Sequence, residues 1–367
     1  MSMTSIERVI NTFNRKPVDM IPICTKPWNE TKKRWRDEGH IGPDEDVWEH
    51  FKCDMRDSGG LDSTIDLDFK PVILEETDQT VLKLDGNGAK LRKHKLHEGT
   101  AEAVGFTVRD RASWEEYAKP RLVGFNRRRI TLDQYRFDKK VAAEKQRFLS
   151  WNVNGPFEMM HPICGHENLL MGMALDPDWV KDMVDTYTSL IINHLEVVFA
   201  EEGKPDGLFI NEDLGFKFKP FMSPAMYREI MQPGHTRIFA FAHSMGCRML
   251  VHSCGYVEPL IPGFIEAGMD CLQGMEVKAG MDLPTLFSKF GDKIVFYGGI
   301  DARTLISNDK TQIDEELKKK IPPVVSGGGG YILHTDHSEP PEVDYETELY
   351  FVDRARQIAA ASVRAIR

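Results

Sequence analysis

The sequence predicts an α/β protein, a (β/α)8 barrel with an elaborated N-terminal segment. From residue 148 onward, short apolar runs that are typical of buried strands alternate with longer helical patterns. Six such strand and helix units follow one another, which implies parallel strands joined by right-handed crossovers. The length is compatible with one large barrel, because 367 residues with 41% hydrophobic content can bury a sizeable core.

The N-terminal part, to about residue 145, is predicted to be irregular. Thr4 and Glu7 match a capping box, so a first helix is expected from about Ser5 to Phe13. A short strand is expected near residues 20–24, and a hairpin around 85–88, where the chain reads "DGNG". These elements precede the regular part of the chain.

The regular part covers residues 146–367 and contains the six units. Its strand segments are "FLSWNV", "GLFINED", "CRMLVHSCG", "DCLQG", "KIVFYGGI" and "GGYILHTDH". Helices are expected near residues 177–201, 224–244, 258–267, 283–290, 314–320 and 345–365. Earlier strands bring the total close to eight, so we expect a single barrel domain over residues 1–367. A doubly wound open sheet is the alternative, but no G-x-G-x-x-G opens a helix after a first strand.

Composition argues against several classes of partner. The formal net charge is −10 with acidic and basic residues interleaved, so no nucleic-acid partner is expected. The N-terminus lacks the apolar core of a signal peptide, and no stretch reaches the ~20 apolar residues that span a bilayer. We therefore expect a cytoplasmic protein with no membrane association. The oligomeric state stays open, a homo-oligomer included.

The loops that follow barrel strands usually build the active site, and polar residues follow every strand segment here. Glu212, Asp213 and Glu276 are candidate catalytic residues: Glu212 or Asp213 could act as an acid or base or complete a metal shell, and Glu276 could orient a substrate or a metal-bound group. The alternative is structural, because strand ends meet solvent and acidic residues at such places often cap a helix. The expected substrate-binding residues, taken from the same strand ends, are Trp151, Asn152, Asn211, Tyr256, Asp301 and His334.

His252 and Cys254 end one strand segment two residues apart. Residues i and i+2 of a strand face the same side, about 7 Å apart at Cα, so both side chains can reach one ion. A zinc site needs a third protein ligand, and "YILHTDHSEPP" offers His334, Asp336 and His337. His337 is favoured because it lies in the loop itself. The alternative is a strand-end histidine beside a small buried thiol, as expected for the other five cysteines, which lack ligand-like spacing.

A family resemblance adds to this interpretation. The chain resembles the uroporphyrinogen decarboxylase superfamily, particularly its cobamide-dependent methyltransferase branch, over most of its length and best from about residue 150 to 360. The segments that carry the resemblance are "GPFEMM", "DPDWVKDMVD", "FINEDLGFK", "FMSPAMYREIMQPGH", "HSCG" and "GYILHTDHSEPP".

The resemblance implies a (β/α)8 barrel that binds zinc through an H-x-C pair and a cysteine in a late loop. His252 and Cys254 match the pair, and alignment of the late loop puts His337 where the branch has cysteine. Histidine in place of cysteine preserves zinc chemistry. The implied cofactors are zinc and a corrinoid. The chain has no D-x-H-x-x-G motif, so the corrinoid is expected on a partner protein.

The implied activity is methyl transfer between a small methylated or methoxylated substrate and the corrinoid protein, preferably as O-demethylation. Uroporphyrinogen decarboxylation is not expected, because the arginine-rich "MRQAGRY"-type stretch is replaced by "PICTKPWNETKKRW". The lysines of that stretch are expected on the solvated surface. Two alternatives remain: a metal-free decarboxylase or lyase on another substrate, and a non-catalytic module that binds a corrinoid protein.

Overall fold

The computed structural model describes residues 3–95 and 101–364 and contains a parallel and an antiparallel sheet. The parallel sheet has seven strands in the order β1-β6-β7-β8-β9-β10-β11, and the antiparallel sheet has the order β2-β3-β4-β5. The strands are β1 (Met55–Gly59), β2 (Val72–Glu76), β3 (Thr80–Leu84), β4 (Ala89–His94), β5 (Glu102–Phe106), β6 (Phe148–Asn154), β7 (Gly207–Asn211), β8 (Arg248–Ser253), β9 (Cys271–Gly274), β10 (Val295–Gly298) and β11 (Tyr331–Ile332).

Helices connect the strands of the parallel sheet, and π-helical turns at Trp114–Ala118 and Tyr227–Met231 join α4 to α5 and α9 to α10. The helices are α1 (Ser5–Phe13), α2 (Asn29–Asp37), α3 (Val47–His50), α4 (Arg111–Ser113), α5 (Lys119–Leu122), α6 (Asp133–Lys145), α7 (Pro156–Leu175), α8 (Pro177–Glu202), α9 (Pro224–Met226), α10 (Gln232–Ser244), α11 (Ile261–Ala267), α12 (Leu283–Phe290), α13 (Ala302–Ile306), α14 (Lys310–Ser326) and α15 (Tyr345–Arg364). Within the described ranges, no helix is both long enough and apolar enough to cross a bilayer.

An eighth extended segment, residues 22–24, closes the parallel sheet into a barrel. Ile23 forms a parallel bridge with Leu333, just beyond β11, and Leu333 N donates to Pro22 O over 2.8 Å. On the other side, Asp54 N donates to Ile23 O over 2.8 Å, just before β1. Pro22 has no N–H, which keeps this pairing short. The predicted (β/α)8 barrel and its strand near residues 20–24 are confirmed.

The first helix begins and ends where the sequence predicts. Thr4 and Glu7 form both hydrogen bonds of the capping box, which satisfies two backbone N–H groups at the start of α1. Its apolar face is buried, and the Phe13 ring stacks on Phe148 of β6 at 5.7 Å between centroids. The helix therefore closes the bottom of the barrel.

Several elements differ from the prediction. α7 and β1 were not expected, and α14 begins at Lys310 and ends at Ser326 instead of covering only 314–320. α7 contains Pro162 and a glycine at φ 78°, Gly165, which interrupts its helical pattern. A Cβ at Gly165 would lie 2.4 Å from the Phe106 ring, so this position needs glycine where α7 packs on β5. The last residue of the expected final helix, 365, lies outside the described residues.

The antiparallel sheet contains the predicted hairpin. Asp85 N donates to Ala89 O over 3.0 Å, and Gly88 takes the positive φ of 75° that such a turn requires. Strand β5 packs against α7, whereas every residue of β2 is exposed. This sheet is the elaboration of the N-terminal part, which is more regular than expected.

Strand register places polar side chains at two adjacent levels of the barrel. Asn152 pairs with Phe209, Asn211 pairs with His252, and His252 pairs with Gln273. Neighbouring residues in parallel register point to the same face of a sheet. Polar groups from adjacent strands therefore meet at the carboxyl end of the barrel.

One buried carboxyl gives a pH-dependent prediction. Glu348 of α15 is 0% exposed, neither carboxyl oxygen has a hydrogen-bond partner within the described residues, and burial raises its pKa well above the ordinary value. The folded protein thus holds a proton that the unfolded chain releases above about pH 4.5. The free energy of unfolding of the wild type should therefore fall as the pH rises from about 4.5 toward the raised pKa of Glu348. This group contributes a fall of up to about 1.4 kcal/mol per pH unit.

Glu348→Gln removes this titration. We expect the free energy of unfolding of the variant, minus that of the wild type, to be larger at pH 7.5 than at pH 5.5. Urea denaturation at the two pH values measures this difference. The exposed Glu346→Gln controls for the general loss of a negative charge. A difference between Glu348→Gln and wild type that does not change with pH would contradict the prediction.

Candidate functional site

A cavity of about 330 Å³ opens at the carboxyl ends of the barrel strands. This volume is at the lower end of the range for small-molecule sites. Six of the residues predicted for substrate or metal binding line it. The lining residues are Lys26, Trp28, Asp57, Asn152, Phe209, Asn211, His252, Cys254, Gln273, His334, Asp336, His337 and Ser338.

Four side chains with metal-ligating atoms meet at one side of the cavity. His252 Nε2 lies 3.1 Å from Cys254 Sγ and 3.4 Å from Asp213 Oδ1. The donor atoms of Asp213, His252 and Cys254 all lie within 4.8 Å of one another. His337 Nε2 approaches Cys254 Sγ at 3.8 Å. The structure thus brings together the expected His252, Cys254 and His337 with Asp213, which the sequence suggested either as a further zinc ligand or as an acid or base.

Neighbouring groups orient these side chains. Gln273 Oε1 accepts a hydrogen bond from His252 Nδ1, which leaves the Nε2 lone pair directed at Cys254 and Asp213. Cys254 N donates to Asp213 Oδ1 over 2.7 Å, and the next amide, Gly255 N, donates to Glu276 Oε2 over 2.9 Å. Glu276 Oε2 also lies 3.9 Å from His337 Nε2. Glu276 therefore borders the cluster.

Without a cation, His252 and Cys254 are held in their neutral forms. Burial lowers the pKa of His252 despite the nearby Asp213, so its imidazole is neutral. Burial and the carboxylates of Asp213 and Glu276 raise the pKa of the Cys254 thiol. A hydrogen bond to Asp336 raises the pKa of His337. A metal cation would reverse the balance at Cys254, because a coordinating thiol is deprotonated.

The donor set fits a zinc ion. Zinc–ligand bonds of about 2.0–2.3 Å in a tetrahedral shell place ligand atoms about 3.3–3.8 Å apart. The separations of 3.1, 3.4 and 3.8 Å among the four side chains are close to this range. Imidazole, thiolate and carboxylate are the side chains that zinc prefers. His252 and Cys254, with Asp213 or His337 as the third ligand, are therefore suitable for a zinc ion whose fourth position stays open.

The structure places Glu212 outside the cavity. Its side chain is 0% exposed and accepts hydrogen bonds from Phe157 N, at 3.1 Å, and from His235 Nε2, at 2.6 Å. Tyr227 OH donates to His235 Nδ1 over 2.9 Å. Glu212 thus satisfies N–H groups at the start of α7 and ties α10 to the barrel. We correct its expected catalytic role to a structural one.

Three expected substrate-binding residues also do not line the cavity. Trp151 points outward from β6, because side chains alternate along a strand, and its ring packs edge-on against Tyr135 at 4.7 Å. Asp301 caps α13 through Arg303 N and pairs with the Arg303 guanidinium. Tyr256 OH donates to Glu258 over 3.4 Å beside the cavity rim. The inward-facing Asn152, Asn211 and His334 do line the cavity.

Sequence reasoning missed Lys26 and Asp57, which face each other at the cavity floor. Lys26 Nζ lies 2.5 Å from Asp57 Oδ2 and 4.6 Å from the centroid of the Phe209 ring. Lys26 was expected on the solvated surface with its neighbouring lysines, but its side chain is only 20% exposed. The signal that could have identified it is its position two residues after the predicted strand near 20–24.

Fold and site together define a barrel protein with a cluster of metal-ligating side chains at the usual place for an active site. Residues 99–358 match the family model of uroporphyrinogen decarboxylase (URO-D), which covers well over half of the sequence. The chain therefore belongs to the uroporphyrinogen decarboxylase family, and the expected superfamily is confirmed.

One solved structure supports the barrel fold. A methyltransferase from Methanosarcina mazei is similar with a TM-score of 0.67 and 16% identity, over 97% of this chain and 99% of that one. At this identity the likeness shows a shared fold. An endo-1,4-β-mannanase from Rhizomucor miehei has a TM-score of 0.40 and 10% identity, over 93% and 95% of the chains. Comparison with curated proteins finds no match.

Proposed function

We propose that this protein is a zinc-dependent methyltransferase that moves a methyl group between a small methylated or methoxylated compound and a corrinoid protein. We propose O-demethylation as its direction. The observation that carries the proposal is the cluster of Asp213, His252, Cys254 and His337 at the edge of the cavity. Family membership and the shared fold with a methyltransferase support it.

His252, Cys254 and either His337 or Asp213 would hold the zinc ion and leave its fourth position open to the substrate, and Gln273 would fix the His252 ring. Zinc bound there would supply Lewis-acid polarisation of the oxygen that carries the methyl group. A ligand set with one thiolate would leave the ion more electrophilic than a set with two, because an imidazole or the Asp213 carboxylate donates less electron density to zinc than a second thiolate would, and this favours demethylation of an ether. The cavity volume suits a small substrate and leaves the corrinoid outside, on its partner.

Methyl transfer to cobalt tests this proposal. A cobalt(I) corrinoid protein mixed with zinc-loaded enzyme and a panel of methoxylated aromatic compounds should become methyl-cobalt(III), seen as a change in corrinoid absorption. Transfer without zinc, or release of carbon dioxide from a carboxylic acid by metal-free enzyme, would favour a metal-free decarboxylase or lyase. Binding of the corrinoid protein with no transfer from any donor would favour a non-catalytic module.

We expect that this protein does not use uroporphyrinogen as a substrate. The cavity of about 330 Å³ is small for a tetrapyrrole, and carboxylates of Asp57 and Asp336 in its lining would repel the substrate's carboxylates. Incubation of the enzyme with uroporphyrinogen should release carbon dioxide at the background rate only. Steady release above background would overturn the assignment to the methyltransferase branch.

A further inference from the structure

A buried ammonium group lies at the floor of the cavity, away from the metal-ligating side chains. Lys26 follows the segment that closes the barrel, opposite β8 in the order of the strands. Its Nζ lies between two rings, 4.6 Å from the centroid of Phe209 and 5.5 Å from that of Tyr297. Phe209 in turn stacks on His252 with 6.4 Å between ring centroids. One phenyl ring thus separates the ammonium group from the candidate zinc ligand.

The hydrogen-bonding capacity of this ammonium is only partly used. Asp57 Oδ2, at 2.5 Å, is its polar partner among the described residues, and Ser150 Oγ donates to the other oxygen of Asp57. An ammonium has three N–H donors, so two remain directed at the cavity and the adjacent rings. The positive charge itself is already compensated by Asp57.

An unpaired acceptor accompanies these donors. Asn152 Oδ1 is buried and has no hydrogen-bond partner within the described part of the chain, although Asn152 lines the cavity. Asn152 follows Ser150 by two residues on β6, so it lies on the same face, one level nearer the mouth. A buried polar atom without a partner costs free energy, which a ligand that pairs with it would recover.

We infer that Lys26 and Asn152 form a subsite for a hydroxyl group of the substrate, which is then a methoxylated phenol. This inference rests on the proposed function and names its substrate class. A hydroxyl oxygen accepts from Lys26 while its hydrogen is donated to Asn152 Oδ1. An anionic group fits less well, because Lys26 is neutralised by Asp57 and a second carboxylate, Asp336, lines the same cavity.

Binding to zinc-loaded enzyme, measured by calorimetry, tests the subsite without requiring methyl transfer. The probes are the three methoxyphenol isomers, with methoxybenzene as the analogue that lacks the hydroxyl and the methoxybenzoates as the anionic analogues. The best methoxyphenol should bind at least about tenfold more tightly than methoxybenzene, because hydrogen bonds to a charged donor and an unpaired acceptor are lost without the hydroxyl. Methoxybenzoates should bind no more tightly than methoxybenzene.

Substitutions at Asn152 and Lys26 test whether these residues cause the preference for methoxyphenol over methoxybenzene. Asn152→Ala should reduce the preference for methoxyphenol over methoxybenzene about tenfold, whereas Asn154→Ala, two residues further along β6 and outside the lining, should keep it. The double variant Lys26→Met with Asp57→Asn removes the ion pair without leaving a buried charge, and should abolish the preference. Equal binding of methoxyphenols and methoxybenzene, tighter binding of a methoxybenzoate, or no binding of any probe would overturn the subsite. Methyl transfer to the corrinoid protein, measured separately, would still decide the proposed function.

Discussion

Cys254→Ala is expected to abolish methyl transfer to a corrinoid protein and to weaken zinc binding by orders of magnitude. Cys254 is the sole thiol of the described metal-ligating cluster and lies 3.1 Å from His252 Nε2 and 3.8 Å from His337 Nε2. Its loss removes a charged ligand from the centre of the cluster. Lewis-acid activation contributes several kcal/mol, and the rate falls about tenfold for each ~1.4 kcal/mol lost.

Cys271→Ala is the matched control for this variant. Cys271 is completely buried on β9 and does not line the cavity, so its removal tests general damage from loss of a thiol. It should bind zinc and transfer methyl nearly as wild type does. Metal content after dialysis and the corrinoid absorption spectrum measure both effects. A folded Cys254→Ala protein that transfers methyl at close to the wild-type rate would show that the cluster is not the metal site.

Glu212→Ala is expected to lower the free energy of unfolding by about 3–5 kcal/mol. The substitution leaves His235 Nε2 and the Phe157 and Glu158 amides at the start of α7 without an acceptor, and each unpaired buried donor costs about 1–3 kcal/mol. His235 and Tyr227, both almost completely buried, would lose the acceptor at the end of their hydrogen-bond chain. Urea denaturation followed by circular dichroism gives the change.

An exposed ion pair provides the control for Glu212→Ala. Glu229 pairs with Lys181 at 2.7 Å on the surface, so Glu229→Ala should cost at most about 1 kcal/mol. Glu212→Gln keeps an acceptor for the α7 amides and should be less destabilising than Glu212→Ala. A change for Glu212→Ala as small as that for Glu229→Ala would contradict a structural role.

Sequence periodicity predicts the regular half of the barrel well. Strands β6 to β11 and most of their helices follow from apolar runs and caps, because each is a local pattern that ends in a clear signal. β1 reads "MRDSG" and has no apolar alternation, since Arg56 and Asp57 pair with charged groups in the fold. α7 was missed because Pro162 and Gly165 interrupt its helical period. Such elements depend on tertiary contacts that a local pattern does not contain.

The candidate site residues likewise divide into those that a local sequence pattern predicts and those that depend on tertiary contacts. His252 and Cys254 were predicted because i, i+2 spacing on a strand already places both side chains on one face. Asp213 joins the cluster and Glu212 does not, because both follow the end of β7 at Asn211 and their side chains point to opposite sides of the barrel wall. Lys26 reaches the cavity floor only because residues 22–24 close the barrel. Closure of this kind is set by the whole fold.

A zinc ion held by His252, Cys254 and either His337 or Asp213 is tested most directly by diffraction from zinc-loaded crystals on both sides of the zinc absorption edge. We predict one anomalous peak per chain, within about 2.0–2.3 Å of His252 Nε2 and Cys254 Sγ. A zinc-loaded crystal with no peak within bonding distance of Cys254 would contradict this assignment and the zinc-dependent mechanism with it.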